Sequence, residues 1–371
     1  MTRRDPHPPN PNSPADPPAG PTPDPAPGPP PVPGSDTLPM VDTARTGGLV
    51  FARDLSAAHR GELGWDSVHN PGNEPLATPW IHLDHSMPEA KRYVEQAAGI
   101  PPGAVAALLA QDPRPRFARF AGGAVLILRG INHNEDADPE EMVVLRMWIE
   151  PARVVSLRMS RLATVRELRE RLAAGDGPTS TGALVADIID GLTTRVERFL
   201  QTLDDEVYEL EEGVLLDPLC PIAERVASVR RDAIAVRRYL VPQREAVNAM
   251  LEHHAPSRSG AGLLDAEAKD RVGEFADRLS RAIEDFDEAR DRAAVVGEQH
   301  RSAVDHRMNR TGYVLTLVAT VTLPPTLVTG FLGMNVIMPW GEHPWAFWIV
   351  LVLLAAMIAG QVWFFKKRGW L

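Results

Sequence analysis

The sequence predicts an α+β domain, a mixed sheet with flanking helices, followed by long helices and two C-terminal transmembrane helices. Three observations carry this expectation. Short runs rich in β-branched residues, separated by turn formers, occupy residues 123–159. Past Thr181 the apolar residues recur at helical spacing, and no proline interrupts the chain between Gly260 and Pro324. Two uncharged apolar stretches, residues 311–332 and 346–365, lie near the C-terminus.

The 371 residues allow two or so domains and a sizeable core. A formal net charge of -10 argues against nucleic acid as the main partner, because phosphate binding needs a basic footprint; cations are compatible with it. The single cysteine, Cys220, excludes an intrachain disulfide framework and a multi-cysteine zinc site. Beside Pro218 and Pro221 it reads as a small apolar residue.

Residues 1–45 alternate proline with Ala, Gly, Ser and Asp, as in "PTPDPAPGPPPVPG". Such a stretch buries little and loses a backbone donor at each proline, which predicts a disordered tail. An inert linker is expected, with docking of an SH3-like partner as the alternative. The tail lacks the apolar core of a signal peptide, so no secretory targeting is expected from it. Residues 46–178 read as the α/β domain. "GAVLILRG", "MVVLRMWI" and "RVVSLRM" predict strands, with "NHNEDADP" as a turn; "PEAKRYVEQA", "GAVAALLAQ" and "ATVRELRERLA" predict helices around them.

Residues 179–310 read as a helical stalk. Its last helix, about sixty residues and so near 90 Å long, exceeds any single globular core and is expected both to pack in a bundle and to enter a membrane. Acidic residues crowd two places, Asp204, Asp205, Glu206, Glu209, Glu211 and Glu212 on one helix and Glu284, Asp285, Asp287 and Glu288 on another. Solvated faces are the ordinary explanation; attraction of ions is the other.

Residues 311–332 and 346–365 are each long enough to cross about 30 Å of hydrocarbon. Arg301, Arg307 and Arg310 precede the first, Lys366, Lys367 and Arg368 follow the second, and the link 333–345 has no Lys or Arg. The positive-inside rule then puts both ends in the cytoplasm and the link outside. Trp340, Trp345, Trp348, Trp363 and Trp370 fall where aromatic belts belong. Polar groups in lipid must be satisfied within protein, so two spans cannot enclose an aqueous path and a transporter of this kind must oligomerise. The first span is the expected wall, since Asn309, Gly312, Thr316, Thr320, Leu323 and Thr326 recur at three- and four-residue steps. The alternative is that the threonines bond their own helix carbonyls. Pro324 and Pro325 interrupt the helix and free carbonyls for other use.

Two C-terminal spans, the very long helix before them and "MNRTGYVLTLVATVTLPPTLVTGFLGMN" together resemble the CorA family of divalent-cation transporters. Its signature is the Gly-Met-Asn at the outer mouth. "PWIHLDH", "RPRFARF", "LILRGIN" and "RRYLVPQR" look most like the ZntB zinc-transporter branch. The resemblance implies a homopentameric funnel in a bacterial-type inner membrane, with no resident cofactor. It implies a selectivity filter at Gly333, Met334 and Asn335, and Asn309, Leu315 and Thr326 at or near the pore. The implied cargo is Zn2+, with proton coupling in view, or Mg2+, Co2+ or Ni2+. The residues suit these roles chemically. Gly333 permits a tight turn, Asn335 offers a neutral amide oxygen to the waters of a hydrated cation, and Met334 is soft packing.

The chain departs from the family pattern in places. Leu332 replaces the aromatic residue common before the signature, and Gly312 stands where magnesium channels usually have methionine, so a narrow apolar gate does not follow. Glu342 and His343 sit two residues later than the usual loop acid, where copies of Glu342 would concentrate cations. His82, Asp84 and His85 are ligand types zinc accepts, but structural roles are the stronger expectation for so short a cluster. No phosphate loop or nucleophile elbow is present, so an enzyme is not expected. A membrane-tethered sensor without flux is the reading from another class.

Overall fold

The computed structural model describes residues 46–56, 61–69, 76–132, 141–252, 262–333 and 345–368. The proline-rich stretch 1–45, most of the "NHNEDADP" turn, Met334, Asn335, Trp340, Glu342, His343 and Trp370 lie outside the described residues.

Six strands form one mixed sheet: β1 (Leu49–Asp54), β2 (Pro79–Asp84), β3 (Arg116–Phe120), β4 (Gly123–Gly130), β5 (Val143–Glu150) and β6 (Arg153–Arg158), in the order β1-β2-β6-β5-β4-β3. Only β2 and β6 pair in parallel. The expected strands are β4, β5 and β6; the other three are additions the structure makes. Cross-strand partners Ile127 and Arg146, or Val125 and Trp148, share one face, so successive residues serve two different cores. Gly123 has a steric reason to lack a side chain, since a Cβ there would lie 2.5 Å from the Ile149 carbonyl oxygen.

On one face Ile81, Leu83, Val125, Ile127, Trp148 and Val155 pack under four short helical pieces. These are α1 (Trp65–His69), α2 (Pro88–Arg92), which continues into a π-helical turn over Tyr93–Ala97, and α3 (Pro102–Leu108). The single helix expected over "PEAKRYVEQA" is thus two segments of different winding. On the other face Trp80, Leu126, Leu145, Met147 and Val154 meet α4 (Ala163–Ala174) and α5 (Thr181–Leu216), and this core runs on into the long helices.

Helix α5 begins where Ser180 Oγ accepts the Ala183 amide at 3.1 Å. It leads to α6 (Ala223–Glu252) and then α7 (Ala266–Leu332), whose first turn is capped by Asp265 accepting the Ala268 amide at 2.7 Å. At 67 residues, α7 is about 100 Å long. A final helix, α8, spans Ala346–Lys367. Ion pairs record how the bundle lies. Asp187, Asp190 and Glu211 of α5 pair with Arg271, Arg278 and Arg292 of α7, so the two helices run the same way. Helix α6 returns antiparallel, with Arg237 on Asp287 at 2.8 Å and Val226 beside Gly297.

These pairs also show what several of the crowded acids do. Glu211 and Asp204 face Arg292, Glu206 and Glu209 face Arg225, and Asp287 faces Arg237. Asp187 is almost wholly buried and holds two guanidiniums, Arg171 of α4 at 3.0 Å and Arg271 of α7. It ties the sheet's own helix to the long one. Replacing it leaves both arginines without their shared carboxylate, though each is partly solvated and can turn to water. Asp187→Ala is therefore expected to cost about 1–3 kcal/mol, read as a lower thermal midpoint of the purified full-length chain.

Candidate functional site

The buried residues of α7 end at Val296, and from Glu298 to Leu332 the helix carries no buried side chain. Its most apolar stretch, and that of α8, has no residue buried inside the chain. Leu315 is 66% exposed, Leu323 64% and Trp348 64%. Leaving some twenty such side chains in water would cost on the order of tens of kcal/mol, more than a folded domain's whole margin of about 5–15 kcal/mol. A buried core hairpin is excluded, and these two helices belong in a bilayer.

At about 100° per residue, Asn309, Gly312, Thr316, Thr320 and Leu323 fall within an arc of about 80°, with Leu315 and Thr326 on its flank. Nothing lies within 4 Å of where a Cβ on Gly312 would stand. The threonines bond their own helix: Thr316 donates to the Gly312 carbonyl at 2.8 Å, Thr320 to Thr316 at 2.7 Å and Thr326 to Thr322 at 2.7 Å. Each hydroxyl has spent its proton, so what it presents outward is an oxygen acceptor. Such a surface receives the hydrogens of a hydrated cation and gives none back. Internal bonding and a polar face are therefore compatible here.

Pro324 and Pro325 lie within α7 and have no N–H, so the carbonyls of Thr320 and Val321 lack their usual i+4 donors. The sequence pattern also contains a second row that the first stripe obscures. Thr322 donates to Val318 at 2.9 Å and Thr329 to Thr326 at 3.0 Å, and with Thr326 they step up the flank to Gly333. The signal is the same three- and four-residue spacing, started one position over.

Gly333 closes α7, its amide donating to the Thr329 carbonyl at 2.9 Å. Its φ of -85° is ordinary, so this helix end does not use glycine's left-handed freedom. Space is the tighter constraint, because a Cβ would lie 3.2 Å from that carbonyl oxygen. Met334, Asn335, Glu342 and His343 are outside the described residues.

His82, Asp84 and His85 do not converge. Fully buried His82 has its Nδ1 2.7 Å from Ser156 Oγ, which accepts the Trp80 indole N–H at 2.8 Å. Ser156 Oγ thus joins the Trp80 indole and the His82 ring in one buried chain of hydrogen bonds, and His82 Nε2 is buried without a partner among the described residues. Asp84 accepts from the Ser86 amide at 2.9 Å and hydroxyl at 2.5 Å, while His85 lies just past the strand end. Among the described residues no three His, Cys, Asp or Glu side chains are placed to share a metal. The suggested ligand set is corrected to separate structural contacts, because its polar atoms are turned to different neighbours.

Comparison with known proteins follows this geometry closely. The family model described as "CorA-like Mg2+ transporter protein" matches residues 77–367. The zinc transport protein ZntB of Pectobacterium carotovorum subsp. carotovorum (strain PC1) is 30% identical over 293 residues, 79% of this chain and 88% of that protein. The divalent cation transporter CmaX of Pseudomonas aeruginosa is 33% identical over 300 residues, 80% of this chain and 89% of that one. The solved structure of full-length CmaX superposes with a TM-score of 0.74 at 31% identity, covering 86% of this chain and 98% of that chain.

The buried histidine gives a pH prediction. Burial, with Arg158 and Arg169 nearby, holds His82 well below the usual imidazole value. The unfolded chain then binds a proton near pH 6.5 that the folded chain refuses, so stability is present above that pH and lost as pH falls below it. The loss is at most about 1.4 kcal/mol per pH unit for one such group. Thermal midpoints between pH 7.5 and 5.5 are expected to fall in the parent and to fall less steeply in His82→Asn.

Proposed function

The chain belongs to the CorA-like Mg2+ transporter family, whose activity is divalent-cation transport, and we propose that it carries Zn2+ into the cell through a homopentameric pore lined by α7, with coupling to protons. The observation that carries the reading is the acceptor-rich outer part of α7, which has a polar stripe and no buried residue in its most apolar stretch. Five copies set side by side would give the stripe an aqueous axis while α8 faces lipid. Zinc is favoured by ZntB relatives that align over most of the chain and by Gly312, which leaves the inner pore without a bulky methionine.

In this reading Gly333, Met334 and Asn335 form the filter. The Asn335 amide oxygen accepts from the waters of the hydrated ion and, being neutral, releases it more readily than a carboxylate would. Asn309 stands at the inner end, while Glu342 and His343 raise the cation concentration outside. Residues 46–178 form the cytoplasmic domain, 179–310 the stalk and 333–345 the external loop, with both termini in the cytoplasm. The membrane is a bacterial-type inner membrane. A second reading, a Mg2+, Co2+ or Ni2+ channel, draws support from the family description and from the Gly-Met-Asn itself.

Flux in proteoliposomes separates the two. Zinc uptake is expected to exceed magnesium uptake and to rise with an inward proton gradient; magnesium flux that equals or exceeds zinc flux and ignores pH selects the channel reading. In the same vesicles Asn335→Ala is expected to remove most divalent flux, at least tenfold, without loss of membrane insertion. Near-normal uptake by that variant would place the filter elsewhere.

A further inference from the structure

We propose that the seam between the end of β4 and helix α6 is a binding site for a small oxyanion, of the phosphate or carboxylate class. A cavity of about 470 Å3 opens there, lined by Asp112, Arg129, Ser160, Arg238 and Tyr239 among others. That volume is in the range of small-molecule sites. Arg129 is almost wholly buried, pairs with the Asp112 carboxylate and lies with its guanidinium carbon 4.0 Å from the centre of the Tyr239 ring. Arg238, exposed on α6, stands 4.7 Å from the same ring and donates to the Tyr239 hydroxyl at 2.8 Å. On the neighbouring strand, fully buried Arg146 shares Arg129's face of the sheet; its Nη2 reaches the Ala110 carbonyl at 3.2 Å.

The hydrogen bonding of the buried arginines is left incomplete. Among the described residues Arg129 Nε and Arg146 Nε and Nη1 are buried without a partner. Two guanidiniums, Arg129 and Arg238, and two carboxylates, Asp112 and Glu141, line the cavity, and Arg146 adds a further cation on the neighbouring strand. Asp112 itself stands at φ +40°, a left-handed backbone that aspartate tolerates better than most residues. Planar guanidinium forks match the paired oxygens of phosphate and carboxylate groups, so an oxyanion supplies what the seam lacks. Bound there, it would join the sheet to α6, which packs along α7.

Isothermal titration calorimetry of the full-length chain in detergent, free of divalent ions, tests this with inorganic phosphate and ATP as separate probes. One site per chain is expected for at least one of them. Phosphate binding identifies a free oxyanion as sufficient, and binding of ATP alone identifies a nucleotide phosphate. Arg238→Ala, a surface change with no core role, is expected to weaken binding at least tenfold, and Arg129→Gln to abolish it. No heat with either probe, or affinities that ignore both substitutions, would overturn the proposal. So would binding that appears only after Glu135, Asp136, Asp138 and Glu140 are changed to their amides, since the chain's own acids would then be the occupant.

Discussion

Everything above Val296 in α7 depends on a solvent that the chain does not contain. A helix whose last three turns of core packing are followed by some thirty-five unburied residues, many of them apolar, gains nothing from further folding of its own chain. Lipid covers the apolar part of such a surface, and its polar part needs other company. Lipid suits the valines, leucines and aromatic side chains of α7 and α8, whereas threonine oxygens and the carbonyls freed by Pro324 and Pro325 need water, ions or a facing polar wall. One helix thus carries an apolar side and an acceptor-bearing side.

The sheet and the helices α5 and α6 hold that helix by its first half. Charged ladders run along α5, α6 and α7 where a coiled-coil seam would leave only apolar contacts. The Arg278 guanidinium, for example, reaches Glu197 at 2.8 Å, Asp190 at 2.8 Å and Thr194 at 3.0 Å, and the bonds to Glu197 first and Asp190 next raise its pKa. Directional bonds of this kind fix the axial register of neighbouring helices more sharply than aliphatic packing does. Helix α7 continues without a break from Ala266 to Leu332, so one element links the bundle to the membrane segment.

Much of this was legible in the sequence, for stated reasons. Long helices declare themselves by period, and β4, β5 and β6 by dense β-branched runs. The other strands have weaker local signatures. β2 is buried at all six positions yet contains His82 and Asp84, so it shows neither alternation nor an unbroken apolar run. β3 is an edge strand with Arg116 and Arg119 turned outward. The stripe on α7 could be read because helical spacing alone determines which residues share a face. The His82 environment could not, since Ser156, the hydrogen-bond partner of its Nδ1, lies 74 positions away and is brought near only by the parallel pairing of β2 with β6.

Water accessibility along α7 tests the central claim most directly. With Cys220 first replaced by serine, single cysteines at positions 312, 316, 320 and 323 are expected to react with a small water-soluble thiol reagent in reconstituted membranes. Cysteines at 314, 318 and 321, on the opposite side of the helix, are expected to resist it. A periodic contrast with the helical repeat is the result this account predicts; uniform protection, or reactivity on the 314–318–321 side instead, would contradict it.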